Sequence, residues 1–147
     1  MYTMLSKSGW FAAMALAGAV GILASCQSME MMSGQQVALS GSNEVPAVAT
    51  SASGSGTVTI KDDRSVSVHI TVTGMTATAA HIHEAAAGAN GPVIVPFTKT
   101  GDNVFDAPAG AKLTDAQYAA YKAGNLYVNV HSAKNPGGEV RAQLKGN

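Results

Sequence analysis

From Ser65 to Thr73 the chain reads S-V-S-V-H-I-T-V-T, with an aliphatic residue at every second position. A helix would scatter those residues around its axis. A strand puts Val66, Val68, Ile70 and Val72 on one face and Ser67, His69, Thr71 and Thr73 on the other. Just upstream, G-T-V-T-I (56–60) alternates in the same way, and the charged K-D-D-R between the two runs predicts a hairpin. V-A-L-S-G-S-N-E-V-P (37–46) opens the row of strands, with Pro46 suited to a strand end. V-I-V-P-F (93–97) is a short apolar strand, and Tyr127–His131 with Glu139–Leu144 makes a last hairpin around S-A-K-N-P-G-G. One helix interrupts the series. Thr114 is its N-cap, Gln117 closes a capping box, and Gly124 ends it. Tyr118 and Tyr121 lie three apart on one face of that helix and should pack on the sheet. The expected class is all-β: an antiparallel β-sandwich or Greek-key barrel with one short helix.

The first 36 residues are of another kind. Met1–Lys7 is short and basic, and Trp10–Leu23 is apolar but shorter than the roughly 20 residues a spanning helix needs. With L-A-S-C following, residues 1–25 read as a secretory signal. L-A-S-C itself resembles the bacterial lipobox. The resemblance implies a lipoprotein: cleavage before Cys26, a diacylglyceryl group on its sulfur, and palmitate-type chains holding the protein to a membrane. Gln27 stands where an aspartate would imply inner-membrane retention. The expected location is therefore the outer membrane of a Gram-negative cell envelope, facing the periplasm or the cell surface. An ordinary signal peptide leaving a free Cys26 is the alternative. Cys26 is the only cysteine, so no intrachain disulfide can form. Residues 26–36 form a lipidated tether carrying Met29, Met31 and Met32, a plain linker or a set of thioethers suited to Cu(I). Residues 37–147 are the domain. Without the leader the chain carries eight basic and nine acidic residues, a net charge of −1, and nucleic acid is excluded as a partner.

A-H-I-H-E (80–84) supplies the chemistry. Residues two apart on a strand share a face, so His81 and His83 project together and Ile82 faces the core. By the same rule Tyr127, Asn129 and His131 oppose Leu126, Val128 and Val130, while Glu139, Arg141 and Gln143 oppose Val140, Ala142 and Leu144. If these strands are neighbours, His81, His83, Asn129, His131, Glu139 and Arg141 form one polar patch. Three imidazoles suit Cu(II) or Zn(II), with a coordination position left open. Glu44 or Glu139 would orient a ring, and Arg141 would guide an anion or pair with Glu139. The same residues serve equally as a hydrogen-bonded structural network or as a contact surface for an envelope protein or polysaccharide. His69 is expected on the wet face, with no role. No serine elbow or Cys–His pair appears, so no residue is assigned a catalytic role. Binding is favoured over catalysis, and enzyme activity would require the open metal position.

Five segments, L-S-G-S-N-E-V-P (39–46), A-H-I-H-E, G-A-N-G-P-V (88–93), G-N-L-Y-V-N-V-H (124–131) and N-P-G-G-E-V-R-A-Q-L (135–144), together resemble the CHRD (chordin-type) domain. That resemblance implies an immunoglobulin-like or superoxide-dismutase-like β-sandwich and no single activity. H-I-H-E with its Gly-rich loop and G-P is also similar, more locally, to Cu,Zn superoxide dismutase. Here Val93 stands where that enzyme has its bridging histidine, and the remaining zinc ligands and the cysteine pair are missing. A dinuclear site of that kind cannot be assembled.

Overall fold

The computed structural model describes residues 34–146. The leader, Cys26 and the methionines of the tether lie outside them. The described chain folds as β1 (Gln35–Ser40), β2 (Ser53–Ile60), β3 (Val66–Thr73), β4 (Ala77–Glu84), β5 (Val93–Pro96), β6 (Thr98–Gly101), β7 (Val104–Asp106), α1 (Asp115–Lys122), β8 (Leu126–Ser132) and β9 (Val140–Gln143). Gln35 and Gln36, expected in the tether, already pair with Val58 and Thr57.

Every strand pairing is antiparallel, and the hydrogen bonds run continuously in the order β5-β4-β8-β9-β1-β2-β3-β7-β6. β3 does not pair with β4, so the chain crosses over the sandwich between them, as Greek-key connections do. The two ends of this sheet approach each other. Phe97 N–H donates to Ala80 O at 3.0 Å, and Lys99 Nζ donates to Ala77 O at 3.0 Å. The result is a nearly closed, all-β sandwich with one helix and one core between its layers.

The alternation seen in the sequence fills that core. Val66, Val68, Ile70 and Val72 are buried, and the residues between them are exposed. They meet Leu39, Ile82, Phe105, Val128, Val130, Val140 and Ala142 in a single cluster. The helix is capped as its sequence dictates. Gln117 N–H donates to Thr114 Oγ1 at 3.2 Å, and Thr114 N–H donates to Gln117 Oε1 at 2.9 Å. Gly124 takes a φ of 77° just beyond it. Tyr121 is buried, and Tyr118 packs beside it and donates its hydroxyl to Asp62.

Two strands lie where no strand was expected. β6 is exposed along its whole length, and β7 is three residues long with only Phe105 buried. Asn103 makes the turn between them at φ 58°. Its side chain accepts from Ala77 N–H and donates to Met75 O, tying this hairpin to the start of β4.

Candidate metal centre

β8 lies between β4 and β9 and sets the register of the site. Asn129 stands opposite His81 on one side and Arg141 on the other, and Tyr127 stands opposite His83 and Gln143. His131 pairs with Ala79, which makes it the diagonal neighbour of His81. Ring side chains bridge that diagonal readily. The expected meeting of the three histidines therefore occurs: one nitrogen from each of His81, His83 and His131 lies within 4.8 Å of the others. Ring centroids are 4.8 Å apart for His81 and His131, 5.5 Å for His81 and His83, and 6.0 Å for His83 and His131.

Backbone carbonyls orient two of the rings. His83 Nδ1 donates to Gly91 O at 2.9 Å, and His131 Nδ1 donates to Pro136 O at 2.9 Å. A neutral imidazole with its proton on Nδ1 keeps a lone pair on Nε2, so both Nε2 atoms can accept a hydrogen bond or bind a metal. His131 Nε2 lies 3.0 Å from His81 Nδ1. His83 Nε2 is buried and meets no hydrogen-bond partner.

The two carboxylates expected to orient a ring do not. Glu139 precedes β9 and follows Gly138 at φ 128°, so the strand alternation has not begun there. Its side chain turns away from the histidines and accepts from Thr50 Oγ1 at 2.7 Å and from Ser132 Oγ. The Ser132 hydroxyl, with Thr50 behind it, holds this carboxyl below its ordinary value. Glu139 therefore forms no pair with Arg141. Glu44 is buried, 6% exposed, in the neighbourhood of Arg141 and Asn129. Burial pushes its carboxyl up, and Arg141 and the Asn129 amide pull it partly back.

Nor is Arg141 placed to guide an anion, since it is 1% exposed. Its guanidinium donates to Ala89 O at 2.9 Å, to Asn90 Oδ1 at 3.2 Å and to Gln143 Oε1 at 3.3 Å. The face of β8 that alternation marked as polar is thus covered by the loop from Ala85 to Pro92. Tyr127, 2% exposed, is buried under it, and Asn129, also 2% exposed, is buried against Gly137 and Gly138 of the β8–β9 turn. Tyr127 was legible as a residue on the histidine face but not as a part of the site. Aligning A-H-I-H against L-Y-V-N-V-H would have placed it opposite His83. His69 is exposed as expected, with Nδ1 2.7 Å from Asp106 Oδ1 on β7.

Burial, with the neighbouring imidazoles of His131 and His83 adding repulsion, pushes His81 down to about 4. Burial also lowers His83, against the opposing hydrogen bond to Gly91 O. Both shifts favour the neutral ring, the state a metal requires, and His81 stays neutral well below the ordinary histidine value. The unfolded chain takes up a proton on His81 from about pH 6.5 downward, while the fold resists until about 4. The folded state then binds fewer protons, so stability falls with falling pH across that window. Glu44, shifted upward, works in the opposite direction. Denaturation midpoints of the metal-free protein between pH 7 and 4 should decline, and more steeply than those of His81→Asn. Parallel profiles for the two proteins would contradict this account.

No curated protein and no solved structure matches the chain significantly. A family model described as the CHRD domain matches residues 35–144. That span begins with β1, ends one residue past β9 and contains all three histidines. The chain belongs to the CHRD domain family.

Proposed function

We propose that this CHRD domain is a lipid-anchored binding module of the cell envelope that holds one copper ion through His81, His83 and His131, with zinc as the second choice of metal. The reading is carried by the mutual approach of three ligand nitrogens to within 4.8 Å. A metal about 2.0–2.1 Å from each imidazole nitrogen in a tetrahedral arrangement sets the nitrogens about 3.3–3.4 Å apart, so the widest pair must close by about 1.5 Å, shared between two rings. Support also comes from the two Nδ1 atoms committed to carbonyls, which leave Nε2 unprotonated on His83 and His131. His81 would contribute Nδ1 with its proton moved to its own Nε2, and the metal would take the place of the proton between Nδ1 and His131 Nε2. Three neutral imidazoles leave the fourth position to water or a small ligand, and the affinity order of divalent ions at nitrogen ligands puts Cu(II) ahead of zinc. Titration of the protein with Cu(II) tests the reading: uptake of about one ion per chain agrees with a three-histidine site, and no uptake overturns it.

A second reading rests on the 3.0 Å approach of His81 Nδ1 to His131 Nε2. That hydrogen bond closes a polar network without any metal, and the domain would then act as a structural or adhesion module contacting envelope polymers or proteins. The anchor is common to both readings. Cys26→Ala is expected to move the full-length protein from the detergent phase to the aqueous phase in phase partitioning. Unchanged partitioning would remove the lipid from the account.

A further inference from the structure

His83 is the most buried of the three histidines. Its ring lies flat on Tyr127, with centroids 4.8 Å apart and planes 6° from parallel. The Arg141 guanidinium covers the Tyr127 ring at 3.4 Å from its centroid. His83, Tyr127 and Arg141 therefore share the aromatic ring of Tyr127 as a common surface. A cation on an aromatic ring is held more strongly when it is desolvated, as Arg141 is.

The same tyrosine also grips the loop. Gly91 N–H donates to Tyr127 Oη at 3.2 Å, while Gly91 O accepts the Nδ1 proton of His83 at 2.9 Å. Gly91 is pressed against β4 so closely that a Cβ there would lie 1.8 Å from Glu84 O, so only glycine fits. Arg141 and Gln143 hold the same loop by Ala89 O, Asn90 and Ala85 O. Loop, tyrosine and arginine thus form one clasp around a single imidazole.

We infer that Tyr127 is the positioning residue of the proposed copper site: through its stacked ring and through Gly91 it fixes both the plane and the tautomer of His83, so that Nε2 is the ligand atom. This rests on the three-histidine reading for its use, but the clasp itself is a property of the metal-free protein. A positioning partner of a metal ligand changes affinity by about 10–100-fold when removed.

The test uses the full-length chain in detergent, labelled with nitrogen-15, and Cu(II) as the probe. In the metal-free wild type, His83 should show the tautomer protonated on Nδ1. Tyr127→Leu should give a mixture of tautomers at His83, an altered Cu(II) paramagnetic resonance spectrum, and affinity lower by about 10–100-fold. Tyr127→Phe keeps the stacked ring and should fall between them, with a shifted His83 Nδ1 resonance because Gly91 N–H has lost its acceptor. A folded Tyr127→Leu protein with unchanged His83 tautomer and unchanged copper affinity overturns the inference. Should Tyr127→Leu not fold, an unchanged His83 resonance and copper spectrum in Tyr127→Phe does so. A wild type with the locked tautomer that takes up no copper would leave the clasp standing and end the metal reading instead.

Discussion

Alanine at any one of His81, His83 or His131 is expected to weaken Cu(II) binding by more than 100-fold, and alanine at His69 to leave it unchanged. Loss of groups that merely orient a ligand already costs about 10–100-fold, and loss of the ligand itself must exceed that. The three positions differ in surroundings, since His83 is buried and His81 and His131 are half-buried. A shared loss would therefore reflect what they have in common, a nitrogen in the same small space. His69 is the internal control. It is an imidazole of the same chain, exposed and paired with Asp106 on another part of the sheet. Calorimetric titration of the four variants reads the result. Equal losses at all four positions would mean that surface imidazoles are being measured, and no loss at His131 would remove it from the site.

The largest expected change in stability is at Arg141. Arg141→Ala removes a cation that is 1% exposed, together with its bonds to Ala89 O, Asn90 and Gln143 and its cover over Tyr127. It also leaves Glu44 buried without the charge that steadies it. Each hydrogen bond to a charged group is worth about 1.5–3 kcal/mol, so losing those of Arg141 together should cost about 3–5 kcal/mol. Denaturant unfolding at neutral pH should show a loss of that order. Adding Glu44→Gln to Arg141→Ala should recover part of it. A loss below about 1 kcal/mol, the range of exposed pairs, would show that Arg141 is better solvated than its burial implies.

These two predictions draw on different kinds of legibility. The histidines were readable because strand alternation decides faces from local sequence: H-x-H shares a face, and L-Y-V-N-V-H ends on the same kind of face. The helix was readable for a similar reason, since Thr114 and Gln117 satisfy each other's backbone within one turn. Glu139 was misread because alternation was extended one residue into a turn, where Gly138 resets the direction of the next side chain. β6 and β7 were missed because T-K-T-G and V-F-D are too short and polar to show a period. β7 is a strand through pairing with β3, which lies some thirty residues earlier in the chain, and β6 is one through pairing with β7. Arg141 was placed on the right face but given a solvent-facing role. Its burial depends on how the loop 85–92 folds over β8, and no local pattern encodes that. Tyr127 was hidden by the same cause: its neighbours His83 and Arg141 come from two other strands.

Three imidazoles of one chain binding one metal together is a geometry open to direct measurement. X-ray absorption at the copper edge of the loaded protein measures this directly. Three imidazole nitrogens at about 2.0 Å, falling to two in His131→Ala, is the result expected of this geometry. Copper with one or two imidazoles in the wild type, unchanged in His131→Ala, would contradict it.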